Sequence, residues 1–183
     1  MNQFADPDWL WIQKIKEGDK AAFGQIFDHH KNSVINLAFR FTKSKEAAED
    51  IAQDVFIKIY EGRVDFDPKA KFTTWLYRVT VNASIDFTRR RKFTPFSLDV
   101  KEDFKDPQIR STGEMLKEEE MKALVQSEIH KLPEKFRSPI LLYQFDEMPY
   151  REIAKILGIT EKAVERRIYH AKEILRKKLG GLR

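Results

Sequence analysis

Thr73, Thr74, Tyr77, Arg78 and Asn82 stand close together in the chain, and a run of cations, Arg89-Arg90-Arg91-Lys92, follows them. Hydroxyls, a phenol ring, an amide and clustered positive charge are the groups that stack on bases and hold the adjoining phosphates. Apolar residues at helical spacing, Phe72, Trp75, Leu76, Val79, Ala83 and Phe87, thread the same stretch, residues 71–92. That spacing predicts an amphipathic helix with the apolar stripe on a core. The other side then carries Thr74, Tyr77, Arg78, Val81, Ile85 and Thr88, with Asn82 and Arg89 at its margin. The chemistry this points to is nucleic-acid binding.

A second constellation lies near the carboxyl end, in YREIAKILGITEKAVERRIYHAKEILRKKL. Ile153, Ala154 and Leu157 predict a short helix with a core side, Gly158 a turn, and Thr160 the N-cap of a longer helix. Ile159 and Val164 flank that cap as a hydrophobic staple, which sets the angle of entry. The apolar stripe continues through Ile168, Ala171, Leu175 and Leu179. Outward lie Lys162, Arg166, Tyr169 and His170, with Glu165 and Arg167 at the edges and Thr160 and Ala163 in the first turn. Such a helix fits a major groove, where its early residues reach base edges. The competing reading is a helical hairpin with a solvated basic back. Cap, staple, glycine turn and basic face coincide, which favours the duplex reader.

The remaining elements position these two faces. Residues 8–16 predict a short amphipathic helix, ended at Gly18, with Asp19 capping the next. Residues 20–41 place Phe23, Ile26, Phe27, Val34, Leu37, Ala38 and Phe41 near helical spacing. Ser44 is the expected N-cap of a third helix whose buried stripe is Ala48, Ile51, Ala52, Val55 and Ile59. Glu46, Glu49 and Asp50 fall early in it, where the helix dipole favours acids, and its opposite face holds Asp50, Gln53, Asp54 and Ile57. That face reads either as solvated surface or as a docking face for a basic partner. Residues 62–71, with Asp67-Pro68, read as a loop into the helix at 71–92.

After residue 92 the periodicity stops until Glu114. A stretch that long without a packing pattern, with Pro95 and Pro107, reads as an interdomain linker. The expected organisation is all-α: a helical domain over 1–92, a flexible acidic linker over 93–113, and a helix-turn-helix domain over 114–183. Within the last, residues 115–131 predict a helix, Pro133 opens another, and Pro139 bends it.

Charge follows the same partition. The 183 residues carry 34 Lys+Arg against 29 Asp+Glu, a net of +5. Residues 71–92 hold six bases and one acid, residues 93–120 four bases and eight acids, and residues 150–183 ten bases and four acids. Two basic blocks separated by an acidic one predict two anion-binding surfaces on one chain. Only 7 Gly and 7 Pro argue against a turn-rich β architecture, and the absence of Cys excludes disulfides and thiolate metal sites. No apolar run reaches the roughly 20 residues that span a bilayer, so no membrane insertion and a cytoplasmic location are expected.

Two histidine clusters, Asp28-His29-His30 and Glu128 with His130, raise the question of a metal. Adjacent histidines on a helix point to different faces and no second cluster matches either, so solvated or capping histidines are expected, with no metal and no cofactor. No glycine-rich phosphate loop and no nucleophile paired with a base occurs at a recognisable spacing, so no enzyme is expected.

Taken together, EGDKAAFGQIFDHH, AAEDIAQDVFIKIYEG, KFTTWLYRVTVNASIDFTRRRK, LPEKFRSPILL and YREIAKILGIT, in that order, resemble the extracytoplasmic-function (ECF) sigma factors of the sigma-70 superfamily. The resemblance implies a subunit that binds bacterial RNA polymerase core and directs promoter-specific initiation. It implies that Glu49, Asp50, Gln53, Asp54 and Ile57 dock on the clamp helices of the polymerase β′ subunit. It further implies that Lys71, Phe72, Thr73, Thr74, Trp75, Tyr77, Arg78, Asn82, Arg89, Arg90 and Arg91 read a melted −10 element. The rear domain would read a duplex −35 element through Thr160, Lys162, Ala163, Glu165, Arg166, Arg167, Tyr169 and His170 while touching the β flap. An anti-sigma factor is implied as a further partner. Arg78-Val79 stands where housekeeping relatives place adjacent tryptophans, and Glu165 where many relatives have a basic or small polar residue. The alternative from another class is a stand-alone dimeric helix-turn-helix transcriptional regulator.

Overall fold

The computed structural model describes residues 7–64, 71–93 and 113–180, which form eight helices and, among the described residues, no strand. The chain divides into two compact units, Met1–Leu98 and Asp99–Arg183. The expected linker, 93–113, lies outside the described residues except at its ends, where Phe93 closes one helix and Gly113 opens the next. Most of the expected loop at 62–71 also lies outside them.

The first unit comprises α1 (Pro7–Lys16), α2 (Lys20–Thr42), α3 (Lys45–Tyr60) and α4 (Phe72–Phe93). The caps form where the sequence places them. Asp19 accepts from the amides of Ala21 and Ala22, and Ser44 from that of Ala47. Between them Lys43 turns the chain in the left-handed region (φ 56°), its N–H returning to the Phe39 carbonyl. Helix α2 packs against the other three. The core joins Ile12 and Ile15 of α1, Ile26, Val34 and Ala38 of α2, Ile51, Val55, Phe56 and Ile59 of α3, and Phe72, Trp75 and Leu76 of α4. All five residues expected on the buried stripe of α3 are buried, joined by Ala47 and Phe56.

Helix α4 sits in this core at a different rotation from the expected one. Thr80 and Ser84 are fully buried, and so is Val81, which the apolar periodicity put outside. Val79, Ala83 and Phe87, expected inside, are only half-buried. The hydroxyls explain the turn: Thr80 Oγ1 donates to the Leu76 carbonyl and Ser84 Oγ to that of Thr80, each at 2.8 Å. A hydroxyl satisfied by its own helix can enter a core without leaving a polar atom orphaned. The row Phe72, Leu76, Thr80, Ser84 therefore faces inward as one line.

The second unit comprises α5 (Gly113–His130), α6 (Glu134–Phe145), α7 (Tyr150–Leu157) and α8 (Glu161–Gly180). Pro133 is the N-cap residue rather than the first helical one, so α6 begins one residue later than expected. Pro139 lies inside α6. Arg137 is buried, its guanidinium donating to the His130 carbonyl at 3.2 Å and so tying the α5–α6 turn. Burial pushes the Arg137 pKa below its ordinary value, against the opposing pull of Glu134. In α7 the buried residues are Ile153, Ala154 and Ile156, while Leu157 is only half-buried. Gly158 takes the left-handed conformation (φ 65°) and returns its N–H to the Ala154 carbonyl, ending α7.

Candidate nucleic-acid and partner interfaces

Rotation of α4 narrows its outer face. What remains exposed is the row Arg78, Asn82, Asp86, Arg89 and Arg90, with Lys71 ahead of the helix. Thr73, Thr74, Tyr77 and Arg91 are half-buried beside that row. Two of the expected strand-reading residues are elsewhere. Phe72 is 1% exposed and Trp75 6%, their rings stacked at 5.7 Å with planes 22° apart. Both rings pack in the core, so neither offers a face to a base. Asp86 is a member of the row that composition alone could not place. It pairs with Arg89 at 3.6 Å, holding one cation along the helix and putting a negative charge in the middle of a cationic face.

The helix-turn-helix gives the second face. Thr160 Oγ1 accepts from the amide of Ala163 at 3.2 Å, which seats the first turn of α8. Val164, Ile168, Ala171 and Leu175 are buried, and Leu179 half-buried, as the spacing predicts. Exposed on the other side are Thr160, Lys162, Glu165, Arg166, Tyr169 and His170, while Ala163 and Arg167 are half-buried. Tyr169 and His170 form an edge-to-face pair at 5.8 Å, and His170 also meets Phe136 at 6.0 Å. A rigid helix backed by a packed core, with cations in its first three turns, is the geometry that enters a major groove.

The third face is on α3. Glu49, Asp50, Gln53, Asp54 and Ile57 are all exposed together, as expected. Beside them lies an apolar groove of about 480 Å³ between α2 and α3, lined by Phe23, Phe27, Ile35, Phe56, Ile57 and Tyr60 among others. Phe27, Ile57 and Tyr60 stay exposed on it, and Phe27 meets Phe56 edge-on at 4.9 Å. The spacing of α2 suggested that Phe23 and Phe27 were ordinary core. The signal for the groove was an excess: α2 carries more large apolar residues than one inward face can hold. A ring of Glu49, Gln53 and Lys31 borders the apolar floor, the arrangement of a surface that takes an amphipathic helix.

The histidine clusters resolve differently from their sequence grouping. Asp28 is held by Lys31 at 2.8 Å, and Glu128 by Lys131 at 2.6 Å. Neither carboxylate turns to a histidine in these pairs. Among the described residues no helix is long and apolar enough to cross a membrane.

A first unit that is helical throughout its described residues, with an outward cationic row, and a second built on a helix-turn-helix have the pattern of a two-module DNA-binding protein. Comparison with known proteins gives the family. Residues 26–94 match sigma-70 region 2 and residues 122–175 match sigma-70 region 4. The chain is 36% identical to the ECF RNA polymerase sigma factor SigW of Bacillus subtilis, over 93% of this chain and 96% of that protein. It is 29% identical to the ECF RNA polymerase sigma-E factor of Escherichia coli, over 94% of each. Among solved structures it is similar to CnrH in complex with the cytosolic domain of CnrY, at 27% identity and a TM-score of 0.68, over 96% of this chain and 99% of that one. It also shares its fold with the sigma factor RpoE in complex with the anti-sigma factor NepR from Bartonella quintana, at 18% identity and a TM-score of 0.63, over 86% of this chain and 96% of that one. The protein belongs to the ECF family of sigma-70 RNA polymerase sigma factors.

Proposed function

We propose that this chain binds bacterial RNA polymerase core and directs promoter-specific initiation, with α4 on the melted −10 strand and α8 on the −35 duplex. The observation that carries this division is the pair of outward faces, Arg78, Asn82 and Arg89 on α4 and Lys162, Arg166 and Tyr169 on α8, each in its own compact unit. On α4 the guanidinium groups hold phosphates while Tyr77 stacks on an unpaired base, a contact of about 1–3 kcal/mol. On α8 an arginine fork reading a base edge contributes a similar amount. Neither alone gives tight binding. Polymerase holds both near adjacent promoter elements, so the affinities combine through effective concentration. The protein supplies contacts and no catalytic step, and it works in the cell interior where polymerase and promoter meet.

The acidic face of α3 is the surface for the β′ clamp helices, and the second unit is the one beside the β flap. The groove between α2 and α3 is the place for an anti-sigma factor, whose apolar side chains would fill the space among Phe27, Phe56, Ile57 and Tyr60. A partner bound there covers Ile57 and borders Glu49 and Gln53, so it competes with the polymerase.

Reconstitution with core polymerase and mapping of transcript starts tests the proposal. Arg166→Ala is expected to lower −35-dependent initiation about tenfold with core binding intact. Loss of core binding in that variant would mean the faces are misassigned. A stand-alone regulator would instead behave as a symmetric dimer and select palindromic sites without polymerase.

A further inference from the structure

Asp8 and His30 are 22 residues apart and meet where α1 crosses α2. His30 Nε2–H donates to Asp8 Oδ1 at 2.9 Å, with both side chains buried. The ring of His29 stands beside them. Its centroid is 4.7 Å from that of His30, the planes nearly perpendicular, and it lies edge-on to Trp11 of α1 at 6.0 Å. One ligand atom from each of Asp8, His29 and His30 can be chosen so that all three lie within 4.8 Å of one another.

We propose that Asp8, His29 and His30 form a binding site for a divalent transition metal of the zinc class. Bonds of about 2.0–2.2 Å in tetrahedral geometry set ligand atoms about 3.3 Å apart. Asp8 and His30 are already closer than that, with a proton where a metal would bridge them, so ligation requires only a small opening there and a swing of the exposed His29. Two imidazoles and one carboxylate suit zinc, cobalt or nickel and not the all-oxygen preferences of magnesium or calcium. Buried Asp8 and His30 pre-organise the pair, and exposed His29 is both third ligand and entry side, leaving a fourth position for water. The sequence grouping had the wrong carboxylate: Asp28 belongs to Lys31, and the acid that meets the histidines comes from α1.

Ligation at this place fixes α1 to α2. It also reaches α4, because the His30 ring meets Phe72, the first residue of α4, edge-on at 5.7 Å. A bound metal thus stiffens the support from which the strand-reading helix starts.

The test uses the full chain without a polyhistidine tag, stripped by chelator. Cobalt(II) alone, titrated at micromolar protein, is expected to give one equivalent of a tetrahedral visible spectrum that zinc displaces, and zinc is expected to raise Tm. His29→Ala, on an exposed position that keeps the buried pair, is expected to bind at least about tenfold more weakly. Asp28→Asn is expected to bind as the parent does. Asp8→Asn and His30→Ala disturb a buried contact, so circular dichroism accompanies them and the conclusion rests on His29→Ala. Absence of a stoichiometric cobalt spectrum, or equal uptake by His29→Ala, would overturn the site and leave an interhelical hydrogen bond.

Discussion

Lys178, near the end of α8, reaches back to Glu128 of α5, its Nζ 3.3 Å from the carboxylate that also receives Lys131 at 2.6 Å. The two cations, Lys131 first, hold the Glu128 pKa below the usual carboxylate value. A carboxyl group depressed in the folded state stabilises it above the unfolded value, about 4.3, and that contribution is lost as pH falls through the lower folded value. Glu128→Gln is therefore expected to lower Tm at neutral pH and to converge with the parent in acid. Thermal melts across pH check this; parallel curves would show that the pair does not couple to folding.

Trp75 and Arg78 are neighbours on α4 with opposite fates, one stacked on Phe72 in the core and the other in solvent. Trp75→Ala removes a packed indole, expected to cost about 3–5 kcal/mol. Its transcription defect should follow unfolding of the first unit. Arg78→Ala and Asn82→Ala should leave Tm within about 2 °C, as exposed substitutions do, yet slow promoter opening. Permanganate footprinting alongside melts separates the two. A folded Trp75→Ala that opens promoters poorly would return the indole to the strand.

Much of the fold is legible in the sequence. Asp19, Ser44 and Thr160 cap as their side chains dictate, because capping is decided within three residues. The α3 and α8 stripes hold because apolar residues repeat there without hydroxyls among them. On α4 apolar spacing put Val81 outside and left out Thr80 and Ser84, whose hydroxyls pack inward because each is bonded to the preceding turn. The pairing of Asp8 with His30 could not be read from spacing, and the groove at Phe27 showed only as an excess of large apolar residues on α2, without its place. Both depend on which elements cross, and that is decided by the whole core.

Gly158 joins the two helices of the helix-turn-helix at φ 65°, and a Cβ there meets nothing within 4 Å. The cost of Gly158→Ala is thus one of backbone conformation, about 1–2 kcal/mol, which corresponds to a fall of several degrees in Tm for a unit of this size. Gly158→Asn is expected to lose less, since asparagine tolerates the left-handed region. Equal losses would mean that the space around the turn, rather than its φ, sets the penalty.

Ile57 and Asp54 occupy neighbouring exposed positions on α3, one on the rim of the apolar groove and one outside its lining. If the polymerase clamp helices set an apolar side chain on Ile57 and basic residues over the acids, the two positions fail differently. Ile57→Arg places a cation where an apolar side chain must be desolvated, so affinity for core polymerase should fall about tenfold or more at any ionic strength. Asp54→Asn removes a rim charge, so it should slow association at low salt and become nearly silent at high salt. Both residues are solvent-exposed, so Tm is expected to change little. Association kinetics with core polymerase at two salt concentrations distinguish these outcomes. A salt-independent Asp54→Asn defect would instead place that carboxylate inside the contact, fully desolvated against a partner cation.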